Sequence, residues 1–292
     1  MSHQQEDLDN IQALQTSNKN AIVAAISAVA VAVAAVGALV LTFTTEFQEA
    51  SFLDIAQGNV AGYTHVNKFG ENESSAIDTQ EPVWDGSTTY QYPTAADSVV
   101  RISQTTNQEA MLSANIEIQG LDASWNLAID TVALDGSNTT TPVTLPTPLI
   151  RVFRMKVLAN VVSNSPIRVH NTAETVDYAI ISTGMNQTLM ALYTVPNGKT
   201  AYITQYYVSI TRSAALDPTG TDVKLWAADR DAGYEFQLKH SIGLPQSTTP
   251  YSHPFKPYMK VTQKTDIKLT TTCDSKAGQV HGGFDLILVD NE

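Results

Sequence analysis

Few side chains in this 292-residue chain have the types and spacing that chemistry needs. Asp229 and Asp231 flank Arg230 and offer two carboxylates to a cation. No glycine turn and distal glutamate follow to complete a calcium loop, so the segment reads as a solvated loop. Glu81 and Asp85 bracket Trp84, the residue types of a sugar-cleaving pair beside a stacking ring. The distance between two carboxyl groups decides that chemistry, and sequence does not fix it. His253, between Ser252 and Pro254, and His281, before Gly282 and Gly283, read as loop and strand-end histidines. Cys273 in a Thr-rich run reads as a small apolar filler. The phosphate loop, dinucleotide fingerprint, nucleophile elbow, zinc-protease helix and EF-hand loop are all missing. The expectation is therefore no catalytic, cofactor-binding or metal residue, no cofactor, and no enzyme activity. Asn72, Asn138 and Asn186 open glycosylation sequons, which a chain rich in Thr and Asn produces by chance.

Aromatic residues are better placed. Tyr202, Tyr206 and Tyr207 fall on one expected strand, with Trp226 and Tyr234 following, then Tyr251, Phe255 and Tyr258. Rings on a sheet pack a core, stack on sugars or fill an intersubunit contact. Tyr202, Tyr206, Tyr207 and Trp226 are the candidate glycan or partner contacts.

These residues need a scaffold, and composition limits which one. The net charge is −12, so the chain lacks the basic stripe that holds nucleic acid. Only 16% of residues are charged, below the usual quarter, and hydroxyl and amide side chains fill the gap. A single cysteine rules out an intrachain disulfide framework. From Ser51 onward, short runs such as Val99–Ser103, Ala114–Gln119, Leu149–Leu158, Ala201–Thr211 and Phe284–Val289 alternate with turn clusters such as Pro196-Asn197-Gly198. That pattern predicts a mostly β protein: an antiparallel β-sandwich or jelly-roll-like body of one or two sandwiches, with an N-terminal apolar α-helix. The expected division is a helical segment at 1–48, a first sandwich at 49–172 and a second at 173–292, the last boundary falling near Asn171–Thr175.

Ala21–Phe43 is a 23-residue run without a charge. As a helix it is about 34 Å long, enough to cross a bilayer core of roughly 30 Å. Three readings fit it. A membrane span places Lys19 inside and Glu46 and Glu49 outside. A helix buried between copies uses rows of small residues, which let backbones approach closely. A strand fits the Val/Ala alternation of Val29–Ala34. Ala24, Ala28, Ala32, Val36 and Leu39 are the expected anchor and oligomerisation residues, and a homotrimer is the favoured assembly, since three helices on one axis cover an Ala/Val surface without lipid.

Several blocks carry a family resemblance. Residues 52–70, Pro82-Val83-Trp84-Asp85-Gly86, Ile118–Trp125, Leu149–Arg154, Met190–Thr200, Lys264–Lys268 and Phe284–Asn291 follow one another in the order seen in structural proteins of tailed phages, many of them marine. The chain resembles that group from about residue 52 to its end, and Ala21–Phe43 stands outside the resemblance. What the resemblance implies is a virion structural protein: a β body at the particle surface, attached to other virion proteins such as the capsid protein, as a capsid decoration or a head or tail fibre. Two further readings stay open. One is a coat or spike protein anchored in the internal lipid layer of a virus. The other is a module that binds host-surface glycan or receptor.

Overall fold

The computed structural model describes residues 14–22, 24, 52–86, 89–95, 99–211, 217–245 and 250–291. The chain divides into two units, Met1–Ala61 and Gly62–Glu292. In the first, residues 14–22 and 52–56 are helical, and Leu14, Ile22, Phe52 and Leu53 are exposed. Among the expected anchor residues Ala24 is helical and exposed, while Ala28, Ala32, Val36 and Leu39 lie outside the described residues. Among the described residues no helix is long and apolar enough to cross a membrane.

The second unit is built from antiparallel strands. It opens with β1 (Tyr63–Ser75) and β2 (Glu81–Pro82). The next seven are β3 (Val99–Gln104), β4 (Asn115–Leu121), β5 (Leu127–Ala133), β6 (Val143–Leu149), β7 (Arg151–Val157), β8 (Ile167–His170) and β9 (Asp177–Ile181). The last seven are β10 (Leu192–Thr194), β11 (Lys199–Thr211), β12 (Gly220–Asp229), β13 (Gln237–Pro245), β14 (Tyr251–Val261), β15 (Thr265–Cys273) and β16 (Gly278–Asp290).

One sheet runs β1-β16-β11-β14, and a second runs β10-β15-β12-β13 with β2 also paired to β15. Along β15, Thr271 and Thr270 face Glu81 and Pro82, and Lys268 to Asp266 face Leu192 to Thr194. The gap is closed by Val83 and Ala191, whose amide donates to the Val83 carbonyl at 2.9 Å. β2 and β10 are thus two halves of one strand. Counted so, the sheets hold strands one-eight-three-six and two-seven-four-five, the order of a jelly roll. Residues 84–190 are spliced into its second strand and form a smaller sandwich of sheets β6-β3-β8-β9 and β5-β4-β7.

This corrects the expected division of the body. The Asn171–Thr175 segment is the hairpin turn between β8 and β9, which pair in one sheet. β1 and β2, expected in the first sandwich, belong to the jelly roll with the C-terminal strands. Local patterns mark strands, but pairing between β1 and β16 is set by packing across two hundred residues of chain.

The splice is built by a few residues. Gly70 lies where β1 crosses it: a Cβ there would stand 2.3 Å from the Val83 carbonyl oxygen and 2.4 Å from the Ala191 nitrogen. Trp84 is 2% exposed, bridges to Met190 and meets Tyr90 edge-on at 5.1 Å. Gly86 follows because a Cβ there would fall 2.2 Å from the Trp84 ring. The Pro82–Gly86 motif is therefore a folding device. The insertion is docked as well as tethered. Leu121, Trp125, Ile150 and Phe153 from the small sandwich join the apolar cluster of the jelly roll, and Leu192 of β10 joins that of the insertion.

Candidate functional site

Charge and aromatic rings concentrate where the two sandwiches meet. Arg151 begins β7 of the insertion and Asp266 lies on β15 of the jelly roll; both are buried. The guanidinium meets the carboxylate as a fork, Nε to Oδ1 at 2.8 Å and Nη2 to Oδ2 at 2.7 Å. Its other donors reach the carbonyls of Pro93 at 2.7 Å and Ile150 at 2.8 Å and the Tyr234 hydroxyl at 3.0 Å. Tyr234 and Thr194 donate their hydroxyls to Asp266. The rings of Trp125, Tyr92 and Tyr234 surround the guanidinium at 4.8, 5.2 and 5.9 Å. Burial works against the charge of Arg151, and the hydrogen bonds and negative charge of Asp266 more than offset it, holding the guanidinium protonated. A buried pair with every donor engaged fixes two elements in register. It offers no open face to a substrate, so the cluster is a clamp between the sandwiches.

A Ser–His pair lies in the small sandwich. Ser103 Oγ and His170 Nε2 are 2.9 Å apart. His170 Nδ1 is 2.8 Å from the Asn171 carbonyl, which can only accept, so Nε2 accepts from the serine. Both side chains are 0% exposed, and a nucleophile so enclosed cannot meet a substrate.

The residues singled out in the sequence are dispersed. Asp229 caps the short turn Arg230–Ala232 through the Asp231 amide at 2.9 Å and accepts from Thr262 at 2.7 Å. Arg230 lies over Trp125 at 4.9 Å. Glu81 holds the end of β1 through the Asn72 side chain and the Ala76 amide. Asp85 accepts from Ser182 at 2.8 Å, and burial raises its carboxyl to about 7. His281 pairs with Thr211 and His253 stacks on His240. Cys273 is buried. Among the described residues no group of three or more His, Cys, Asp or Glu side chains is placed to hold a metal ion.

The four candidate contact rings do not form one surface. A bulge in β11 between Ile203 and Gln205 turns Tyr206 inward, onto the face of Ile203 and Val208. Tyr206 is 0% exposed and its hydroxyl bonds His240 Nδ1 at 2.6 Å, which corrects its reading as a contact residue. Tyr202 and Tyr207 are half-buried, and Asn67 donates to the Tyr207 hydroxyl at 3.1 Å. Trp226 belongs to the other sheet and donates to Thr270 at 2.8 Å.

Beside the clamp a cleft of about 490 Å³ separates β1 from β4, β5 and β7. Lys68 and Arg154 line it, two residues that attract no attention in the sequence. Lys68 is 3% exposed and donates to the Phe153 carbonyl; Arg154 donates to the Asn67 carbonyl at 2.8 Å. The only sequence signal for either is a charge inside an expected strand or beside an aromatic residue.

No protein-family model and no curated protein matches the chain. Among solved structures, that of infectious bursal disease virus Gx strain is similar at 11% identity over 79% of this chain and 73% of that one, with a TM-score of 0.20. The VP2 subviral particle of infectious bursal disease virus gives 10% identity, 78% and 72% coverage, and a TM-score of 0.20. At such scores the chain paths coincide too little for the likeness to carry fold or function.

Proposed function

We propose that the protein is a non-enzymatic virion structural protein whose double-sandwich body is displayed on the particle and whose residues 1–48 attach it there, as a capsid decoration or fibre component. The observation that carries this reading is the jelly roll with a second sandwich spliced into its second strand and clamped by Arg151 and Asp266. Jelly rolls recur in capsid and lectin domains, and function has to be argued from sites rather than folds. Here the polar clusters described fasten elements to one another: Arg151 with Asp266, Ser103 with His170, Asp229 with Thr262. That suits a body whose task is shape and endurance. The ordered resemblance of the blocks between residues 52 and 291 to tailed-phage structural proteins supports the same reading, and the small-residue rows of Ala21–Phe43 support a trimeric attachment segment.

The test is deletion of residues 1–45. The truncated chain is expected to stay soluble and folded, to lose its trimeric mass in light scattering, and to be missing from purified particles by mass spectrometry. Incorporation at the wild-type level overturns the attachment role. Loss of the full-length chain from particles on chloroform extraction redirects the reading to a lipid-anchored coat protein.

A further inference from the structure

The cleft beside β1 has an unusual charge balance. Its apolar walls include Val66, Phe153, Tyr193 and Leu288, and Leu127 and Ile129 form its rim with 49% and 56% exposure. Among the described residues its ionisable lining includes His65, Lys68 and Arg154 but no aspartate or glutamate, in a chain whose net charge is −12. His65 has a carboxylate 3.8 Å away in Asp285. Lys68 and Arg154 have none among the described residues; each is held by a backbone carbonyl of the opposite strand. Burial, and then the neighbouring Arg154, hold the Lys68 amine well below the usual lysine range. Two basic groups thus face one another without a counter-charge, an arrangement that an incoming anion relieves.

We infer that this cleft is a binding site for a carboxylate carried on an apolar body, with the carboxylate against Arg154 and Lys68 and the apolar part along Phe153, Leu127 and Ile129. The volume falls in the range of small-molecule pockets, which favour domain junctions. The guanidinium fork matches a carboxylate, and the side-chain amides of Gln119 and Gln187 add neutral donors to the lining. Such a group comes either from a free amphiphilic acid or from the C-terminal apolar residue of another polypeptide. The chemistry recognised is the same, and the site stands independently of how the particle is joined.

Calorimetric titration of the full-length chain tests this with four probes: decanoate, decanol, a peptide ending in Leu-Leu with a free carboxylate, and the same peptide amidated. Decanoate is expected to bind at least about tenfold more tightly than decanol, since a charge-assisted pair is lost in the alcohol. Arg154→Gln and, independently, Ile129→Asp are expected to reduce decanoate binding by about tenfold or more. Ile129 is exposed on the rim, so its variant keeps the core intact and adds a repelling charge. Competition by the free-acid peptide and not by the amide identifies a chain terminus as the source; binding of decanoate without such competition identifies a free acid. Equal binding of decanoate and decanol, no binding of any probe, or unchanged binding in both variants overturns the site.

Discussion

Replacing Arg151 by alanine tests whether the clamp holds the insertion to the jelly roll. The substitution leaves the Asp266 carboxylate at 0% exposure with only the Tyr234 and Thr194 hydroxyls, and takes a charged donor from the carbonyls of Pro93 and Ile150. Breaking one side of a buried ion pair costs about 3–5 kcal/mol. Each abandoned carbonyl adds about 1–3 kcal/mol where water does not replace the donor. Water entering the vacated space lowers the second contribution, so the expected loss is about 3–5 kcal/mol, a large part of the 5–15 kcal/mol typical of a folded domain. The double variant Arg151→Met with Asp266→Leu is expected to recover most of it, because apolar packing replaces the pair and no charge is left stranded. Urea denaturation read by tryptophan fluorescence reports both, since the Trp125 ring lies 4.8 Å from the guanidinium. A loss under about 1 kcal/mol in the single variant, or a double variant no better than the single, refutes the clamp.

Three further outcomes follow from the same geometry. Asp85, raised from 3.8 to about 7 by burial, stays protonated in the fold at pH values where the unfolded chain has lost its proton; its contribution to stability is full below about pH 4 and is lost as pH rises through 7, by up to about 4 kcal/mol. Asp85→Asn is expected to flatten that decline in denaturation midpoints measured between pH 5 and 8, and an unchanged decline refutes the assignment. His240 is shifted the other way, its imidazole lowered by burial and by His253, whose ring stacks on it at 3.9 Å. The unfolded chain then binds the proton first, so stability falls as pH drops below about 6.5, and His253→Phe, which keeps a ring and removes the second charge, is expected to shift the acid midpoint downward. Gly70→Ala forces a methyl against the Val83 carbonyl and the Ala191 amide and is expected to cost about 1–3 kcal/mol, with thermal denaturation as the check.

The strands of the body were legible wherever burial imposes period two. β4 buries Ile116 and Ile118 between less buried neighbours, and the expected Ala114–Gln119 run overlaps it. Two elements were not read as strands. β1 carries only Val66 and Phe69 as large apolar residues in its interior, because much of it is polar. β6 contains Pro146 and Pro148, which read as breakers and are tolerated because the strand lies at a sheet edge. The aromatic cluster failed for a related reason. One extra residue in β11 reverses which side chains face inward beyond Ile203, so Tyr206 is buried where an unbroken alternation would have buried Tyr207. Arg151 was visible as a charge between Ile150 and Val152, an expensive residue to place inside a strand. Its partner Asp266 lies 115 positions away, beyond the reach of any local pattern.

The splice explains why the chemistry gathers at the junction. A sandwich inserted through two adjacent crossings, at Val83 and Ala191, is free to pivot unless further contacts hold it. The chain holds it twice, with cations from neighbouring positions of the same strand, Arg151 and Arg154 of β7. Arg151 meets a carboxylate and is closed on all sides. Arg154 reaches across to β1 and Lys68 reaches back, and both end on backbone carbonyls beside an open cleft. For fastening alone, a carboxylate on β1 would have served as well as it does on β15, and would have spared the burial of an unpaired lysine. Keeping two basic groups without a counter-charge is costly in a chain with an excess of acids, and that cost is offset when an anion from outside occupies the cleft.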